Sequence, residues 1–488
     1  DPVAMVRVEG AGDVSVSHND VQFVEPGESI TFTATGLSRP FKGFIVDGET
    51  LVEGSASYTF TAPSDSSLTS IVSIVASPIT DFYVNANDGD DANDGFSAAT
   101  PKLTLAGAMS IPDLGSVKGD TVHAASGTYN TLAMPSSFTN IAPNTILSRV
   151  CVPTGVTLVG DDGPKVTIIE GASALNPDSN GFGSDAIRCA SVCKGAVLRG
   201  FTLRNGRGAN KETSEKDDYV GGGVLMENAS GCLESEFPRL ENCILTGNSA
   251  ARGGAGCGQY GVYVNCRFAG NKATATSSAF FRGIAYGCYF DANIGDQLCR
   301  YATKLVNCTI ADGNLKLIGT DEMANPIPDF GTGCPDGVSP VIDGCIFLCQ
   351  INSAYVTNSI VVKGRYGANT PAEANIAVES IQSVKLTDGV PAKDSPAVDV
   401  LDVRGVSEFF CGVDAANSQR VYNGRLDLGA FEYDWRGDYA ARIGGKPSVV
   451  TVASPNLVES IDGKTLVLKK GDFSLVLAGG DTKANTKY

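Results

Sequence analysis

Histidine and tryptophan are nearly missing from this chain, with two and one among 488 residues. His18 and His123 stand alone in the sequence, so no Ser/His/Asp relay can be assembled around them, and a structural zinc site is not expected. No CxxC pair occurs among the 14 cysteines, which weakens the case for zinc further. No apolar run reaches the ~18 residues that span a bilayer as a helix. Positive charge is in deficit: 37 basic against 54 acidic side chains leave −17. A field of that sign repels nucleic acid and anionic membranes. It also disfavours a polyanionic glycan, unless a local basic groove overrides it. Stretches with a 3.6-residue apolar period are few, so long helices are not expected. The chain opens Asp1-Pro-Val-Ala-Met5, an opening from which neither an initiator methionine nor a leader is expected to remain. The expectation is an exported, mature chain at the cell surface or outside the cell, or an excised fragment.

What is abundant points one way. Glycine reaches 57 residues, and the Val, Ile, Thr, Ser and Asn around it favour strands and turns. At 42% hydrophobic the chain is globular, and 488 residues allow two or three domains. The fold class expected is all-β.

Three segments are expected: 1–78, 79–435 and 436–488. In the first, Val14-Ser-Val-Ser17 and Ser29-Ile-Thr-Phe-Thr-Ala34 alternate at period two around the turn Glu25-Pro-Gly-Glu28. Gly43-Phe-Ile-Val-Asp-Gly48 and Tyr58-Thr-Phe-Thr-Ala62 continue the alternation. This segment resembles the small immunoglobulin-like domains of bacterial surface proteins, which implies a spacer. In the third, Ser448-Val-Val-Thr-Val452, Thr465-Leu-Val-Leu468 and Phe473-Ser-Leu-Val-Leu477 read as strands of a second, partial β domain.

The middle segment repeats. Glu241-Asn-Cys-Ile-Leu245, Val264-Asn-Cys-Arg-Phe268, Tyr286-Gly-Cys-Tyr-Phe290 and Val306-Asn-Cys-Thr-Ile310 place cysteines at 243, 266, 288 and 308, spaced by 23, 22 and 20. Asn248, Asn271, Asn293 and Asn314 follow in step. Arg199-Gly-Phe-Thr-Leu203 sits in the same frame, with Phe201 two periods before Cys243, and Asp343-Gly-Cys-Ile-Phe347 and Thr357-Asn-Ser-Ile-Val361 extend it less regularly. A period near 22 holding strands and a turn asparagine is one coil of a parallel β-helix. Stacking at about 4.8 Å then lines the cysteines into one internal column and the asparagines into another. Column cysteines are expected as reduced packing residues, with inter-coil disulfides as the alternative. Cys189/Cys193 and Cys345/Cys349 are the better disulfide candidates. Glycine clusters at 221–223 and 253–258 lack the Lys-Ser/Thr ending of a phosphate loop and belong to tight coil turns.

Before the repeat stand Phe82-Tyr-Val-Asn85, the Asp/Asn/Gly run 87–95, Thr100-Pro-Lys-Leu-Thr-Leu-Ala-Gly-Ala108, Gly119-Asp-Thr-Val-His-Ala124 and Ser126-Gly-Thr-Tyr129. This series resembles the opening of pectin-lyase-like right-handed parallel β-helix proteins, in which a strand, a loop and a short capping helix precede the first coil. Behind the repeat, Asp394-Ser-Pro-Ala-Val-Asp399 and Arg420-Val-Tyr-Asn-Gly-Arg-Leu-Asp-Leu-Gly-Ala-Phe-Glu-Tyr433 resemble the closing motif of the bacterial choice-of-anchor Q proteins. That resemblance implies export and surface attachment, without one reaction. The expected architecture is a right-handed parallel β-helix (solenoid) flanked by small immunoglobulin-like β domains.

Chemistry is harder to place. The longest polar insertion, Arg207-Gly-Ala-Asn-Lys-Glu-Thr-Ser-Glu-Lys-Asp-Asp218, carries Lys211, Asp217 and Asp218. A polysaccharide lyase needs a base for the proton α to a uronate carboxylate and a cation to stabilise the enediolate, and these three could supply such parts. A solvated charged loop is the alternative. Arg252, Arg282 and Arg300 do not share one repeat frame, so no basic strip is expected from them, and no stacked carboxylate pair for glycoside hydrolysis is visible. Asp88, Asp90, Asp91 and Asp94 have the density of oxygen ligands that suits a structural Ca²⁺, and an ion-free Asx-rich turn is the other reading. No further cofactor is required. Two functions stay open: a structural, adhesive or glycan-binding surface protein, or a polysaccharide lyase or glycoside hydrolase. Expected partners are an extracellular glycan or other surface proteins, copies of the chain included.

Overall fold

The structure, a computed structural model, describes residues 4–10, 14–18, 21–36, 39–64, 70–135, 137–138, 146–209, 219–229, 231–311, 316–318, 341–348, 350–352, 355–363, 375–402, 414–415, 425–433, 460–461, 465–470 and 473–478. They belong to two compact units, Asp1–Glu432 and Tyr433–Tyr488. In the second, Ser460–Ile461, Thr465–Lys470 and Phe473–Ala478 form an antiparallel sheet.

The first unit begins with two sheets. Ala4–Gly10, Gln22–Val24, Phe41–Val46, Glu49–Glu53 and Ser70–Pro78 form one, and Ser15–Val16, Ser29–Thr35 and Ser57–Thr61 the other. Alternation turns Val6, Val8, Phe32, Phe44 and Ile74 into one shared core. The turn at 25–28 closes through the Glu28 amide on the Glu25 carbonyl, with Gly27 at φ 78°.

Between Asp81 and Val378 the described strands stack as a parallel β-helix, as the repeat predicts. Sheet A stacks Asp81–Val84, Thr121–Ala124, Thr157–Gly160, Val197–Arg199, Arg239–Glu241 and Val262–Val264. Sheet B runs from Gly127–Tyr129 through Thr167–Glu170, Thr202–Arg204, Ile244–Thr246, Arg267–Ala269, Tyr289–Asp291 and Thr309–Ile310 to Ile376–Val378. Sheet C starts with Leu147–Val152, Ile187–Val192, Val224–Met226 and Gly256–Cys257. Strands Phe280–Tyr286 and Gln297–Val306 then pass from sheet C into sheet A without a break. The short helix Leu105–Met109 adds Leu105 and Ala108 to the core of the first coils.

Two columns anticipated from the repeat are present. Asn248, Asn271 and Asn293 are buried, and the side-chain amides of Asn248 and Asn271 each donate to the next Oδ1 at 3.0 Å. Each Nδ2 also reaches a carbonyl of the preceding coil, on Leu203, Leu245 and Phe268. Asn314 lies outside the described residues. Cys243, Cys266, Cys288, Cys308 and Cys345 fill the second column, all buried. The amides of Cys266, Cys288 and Cys308 donate to the sulfur one coil further on, at 3.3–3.4 Å. Burial pushes the Cys243, Cys288 and Cys345 thiols well above their ordinary range. The residue before each cysteine makes the corner in left-handed backbone: Asn242, Asn265, Gly287, Asn307 and Gly344 all have φ of 50–65°.

Two expectations are corrected. Phe201 precedes Cys243 by one coil, not two, because Thr202 pairs directly with Ile244. The surplus length goes into two insertions, one between the sheet B and sheet C strands and one between Val224–Met226 and Arg239–Glu241, which lengthen a coil without adding a rung. Cys189 and Cys193 do not pair either. Residues four apart on extended chain are about 13 Å apart, so Cys189 donates inward to the Arg204 carbonyl while Cys193 lies 3.9 Å, sulfur to sulfur, from Cys151. Among the described residues no disulfide is formed, and Cys349 lies outside them.

The closing segment covers a flank of the solenoid. The Gly429 and Ala430 amides donate to the Gly344 carbonyl and Thr309 Oγ1, and Leu428 and Phe431 bury against the outside of sheet B. A side chain at Gly429 (φ 90°) would strike Thr309, which explains the glycine.

Candidate functional site

Three insertions leave sheet B on successive coils, at 130–146, 171–186 and 205–223, and return to the strands of sheet C. Arg188 ties two of them together from inside. Its guanidinium is fully buried and donates to the carbonyls of Val220, Gly221 and Ile146. This pins the returning end of the loop that carries Lys211, Asp217 and Asp218. Those three residues lie outside the described residues. The loop's landing point is described: the Ala251 and Arg252 amides both donate to the Tyr219 carbonyl, and the Gly221 amide donates to the Arg252 carbonyl.

That landing point is where charge and aromatic surface meet. Phe281 lies against Leu225, Cys257 and Val220, with Tyr219 and Phe138 packed beside it. The Arg252 guanidinium sits 5.6 Å from the Phe281 ring centre and 5.8 Å from that of Tyr219. The Arg282 guanidinium sits 5.3 Å from the same Phe281 ring and donates to Gln259 Oε1 at 3.4 Å. Both arginines are half-buried, as are Tyr219 and Gln259. Ring faces hold guanidinium groups by their quadrupole and leave the N–H edges directed outward for a carboxylate or sulfate. Arg282 takes up left-handed backbone, φ 64°, at the corner where Tyr260 stands one coil earlier. A bulky residue is costly there.

The sequence frame separates Arg252 from Arg282, yet the structure brings them to one ring. They are 30 residues apart, while the coil from Cys257 to Phe281 is 24. Arg252 precedes the sheet C strand of its coil, while Arg282 lies inside Phe280–Tyr286 on the next, one residue past the last sheet C pair, so comparing equal repeat positions misses them. Arg300 is paired in the backbone with Phe281 on the following strand.

The acidic loop is a different kind of construction. Asp91 accepts from the Leu103 and Thr104 amides and from Thr104 Oγ1, fixing the start of the short helix. Asp94 accepts from the Phe96 amide and Thr100 Oγ1, bonds that hold its carboxyl below the usual range. Asp90 accepts from the Ala92 amide, and Asp88 lies 3.5 Å from Asn85 Nδ2. Each carboxylate thus accepts from donors of the 85–104 segment, and among the described residues no three His, Cys, Asp or Glu side chains converge as metal ligands would. His123, stacked on Tyr83, lies between Asp81 (Nε2, 3.3 Å) and Asp161 (Nδ1, 2.9 Å), tying three consecutive coils on the outside of sheet A. His18 has left-handed backbone in a turn, edge-on to Phe32.

No family model matches the chain, and no curated protein matches it. Solved structures similar to it include a pectin methylesterase from Erwinia chrysanthemi, at 11% identity and TM-score 0.33, covering 63% of this chain and 95% of that one. A rhamnogalacturonan lyase is 12% identical at TM-score 0.33, over 75% and 99% of the two chains. A lacto-N-biosidase from Eubacterium ramulus is 10% identical at TM-score 0.22, over 60% and 53%. Likeness at this level assigns no activity. Among the described residues no helix is long and apolar enough to cross a membrane.

Proposed function

We propose that this protein is an exported, non-catalytic β-helix component of the cell surface that holds an acidic glycan on the Arg252/Arg282/Phe281/Tyr219 surface. The observation that carries the reading is two guanidinium groups stacked on one ring, on a chain whose net charge is −17. A local cationic patch of this kind selects a carboxylate or sulfate by paired N–H bonds, while the half-exposed Tyr219 ring offers a face for a sugar. Binding is tested on a glycan array with two variants. Arg252→Ala removes one cation. Arg282→Gly removes the other and suits the left-handed corner, so the fold keeps its stability. Either variant should weaken binding to acidic glycans about tenfold or more, from the loss of charge-assisted bonds. Unchanged binding in both would overturn the reading.

A second reading, a polysaccharide lyase, is favoured by one observation: the loop bearing Lys211, Asp217 and Asp218 rejoins the coil at Tyr219, hydrogen-bonded to Arg252. Lys211 would then be the base, and the two arginines would stabilise the enediolate. Absorbance at about 235 nm during incubation with uronate polysaccharides distinguishes the readings, because only β-elimination forms the unsaturated sugar. A rise abolished by Lys211→Ala would replace the non-catalytic reading.

A further inference from the structure

Cys151 is the penultimate residue of the sheet C strand Leu147–Val152, and Cys193 follows the neighbouring strand Ile187–Val192, one coil on. Their sulfurs are 3.9 Å apart, within about 2 Å of bonding distance. Both residues are no more than 3% exposed. Above them lies Ser137, itself exposed, whose amide donates to Cys151 Sγ at 3.3 Å and whose hydroxyl stands 3.4 Å from both sulfurs. The sulfurs of the cysteine column also neighbour one another from coil to coil, but they are buried against backbone carbonyls and amides inside the solenoid. Here two thiols face each other beneath one exposed residue.

We propose that Cys151 and Cys193 are a redox pair that closes into a disulfide by exchange with a low-molecular-weight disulfide, stapling two consecutive coils. The hydrogen bond from the Cys193 thiol, with those from Ser137, pulls Cys151 down to about 6 against the opposing effect of burial. Cys193 is pushed up, by its bond to Cys151 and by burial. The Ser137 amide donates to the Cys151 sulfur, which makes Cys151 the attacking thiolate and Cys193 the resolving thiol. Cys151 gives up its proton and attacks one sulfur of oxidised glutathione, whose S–S bond breaks and releases one glutathione thiolate. Cys193 then loses its proton and attacks the Cys151 sulfur of the mixed disulfide, releasing the second glutathione. Two protein thiols are oxidised, and the two electrons and two protons leave on two glutathione thiols.

The test is incubation of the full folded chain with millimolar oxidised glutathione at neutral pH, followed by intact mass and peptide mapping. The wild type should lose two hydrogen atoms, yield a peptide linking 151 to 193, melt several degrees higher and revert with dithiothreitol. Cys193→Ser should stop at the first step and carry one glutathione on Cys151. Cys151→Ser should carry none on Cys193. Cys193→Ala serves in place of the serine variant if that loses its β-sheet circular dichroism. A link that forms only in denaturant, a link between other cysteines, or an unlabelled Cys151 in the Cys193 variants would overturn the proposal.

Discussion

Asn271 is fully buried at the corner after sheet B, and all of its hydrogen-bonding atoms lie away from water. Its Oδ1 accepts from the amide and the Nδ2 of Asn248, and its own Nδ2 reaches Leu245 and Asn293. Truncation strands polar groups on the coils above and below it. Asn271→Ala should cost about 3 kcal/mol, at the level of one or two buried groups left without a partner. Hydrogen exchange is the suitable measurement, because coils of a solenoid open locally. Protection should fall first at Asn248 and Asn293. A loss spread evenly over the chain would contradict the ladder.

At the scale of elements, sheet B ties its early strands together by charge. Glu170 on one strand takes both Nε and Nη2 of Arg204 on the next, and Asn205 adds a third donor. The bond to Arg204 holds the Glu170 carboxyl below its ordinary value, with burial opposing. A lowered folded pKa contributes stability above the unfolded value of about 4.3, and that stability is lost as pH falls through the lower folded value. Glu170→Gln should therefore lower stability at pH 7 and flatten its decline on acidification below about pH 5. Urea midpoints between neutral and acid pH check this. A variant with the wild-type slope would place the acid sensitivity elsewhere.

Over the whole molecule, one side chain joins the opening sheets to the solenoid. Arg39 Nη1 meets Asp120 Oδ1 at 2.8 Å, with both side chains fully buried. Nη2 donates to the Asp113 carbonyl and Ser116 Oγ, and the guanidinium lies 5.2 Å from the Phe82 ring centre. Asp120 in turn accepts from the Gly115 amide. Removing one member of a buried pair leaves an uncompensated charge, so Arg39→Ala should cost about 3–5 kcal/mol. Replacing both partners together should cost less than that single change. Thermal unfolding of the single and double variants measures the difference, and an unaffected single variant would show that the contact carries no stability.

The amino-acid sequence by itself determined the class and the phase of the coils. Strand-forming composition excludes long helices, and stacking makes residues one coil apart equivalent, so Cys243, Cys266, Cys288 and Cys308 advertise their column. The asparagine ladder was legible for the same reason. Only the tertiary structure decided what crosses that frame. Insertions lengthen a coil without changing its backbone register, which is why Phe201 is one rung from Cys243 and Cys151 meets Cys193 across 42 residues. Arg252 and Arg282 share a ring because they lie on either side of the Cys257/Phe281 pairing on neighbouring coils, and Arg39 reaches Asp120 from a separate sheet. Such meetings follow from hydrogen-bonded pairing in space, and residue counting along the chain carries no record of them.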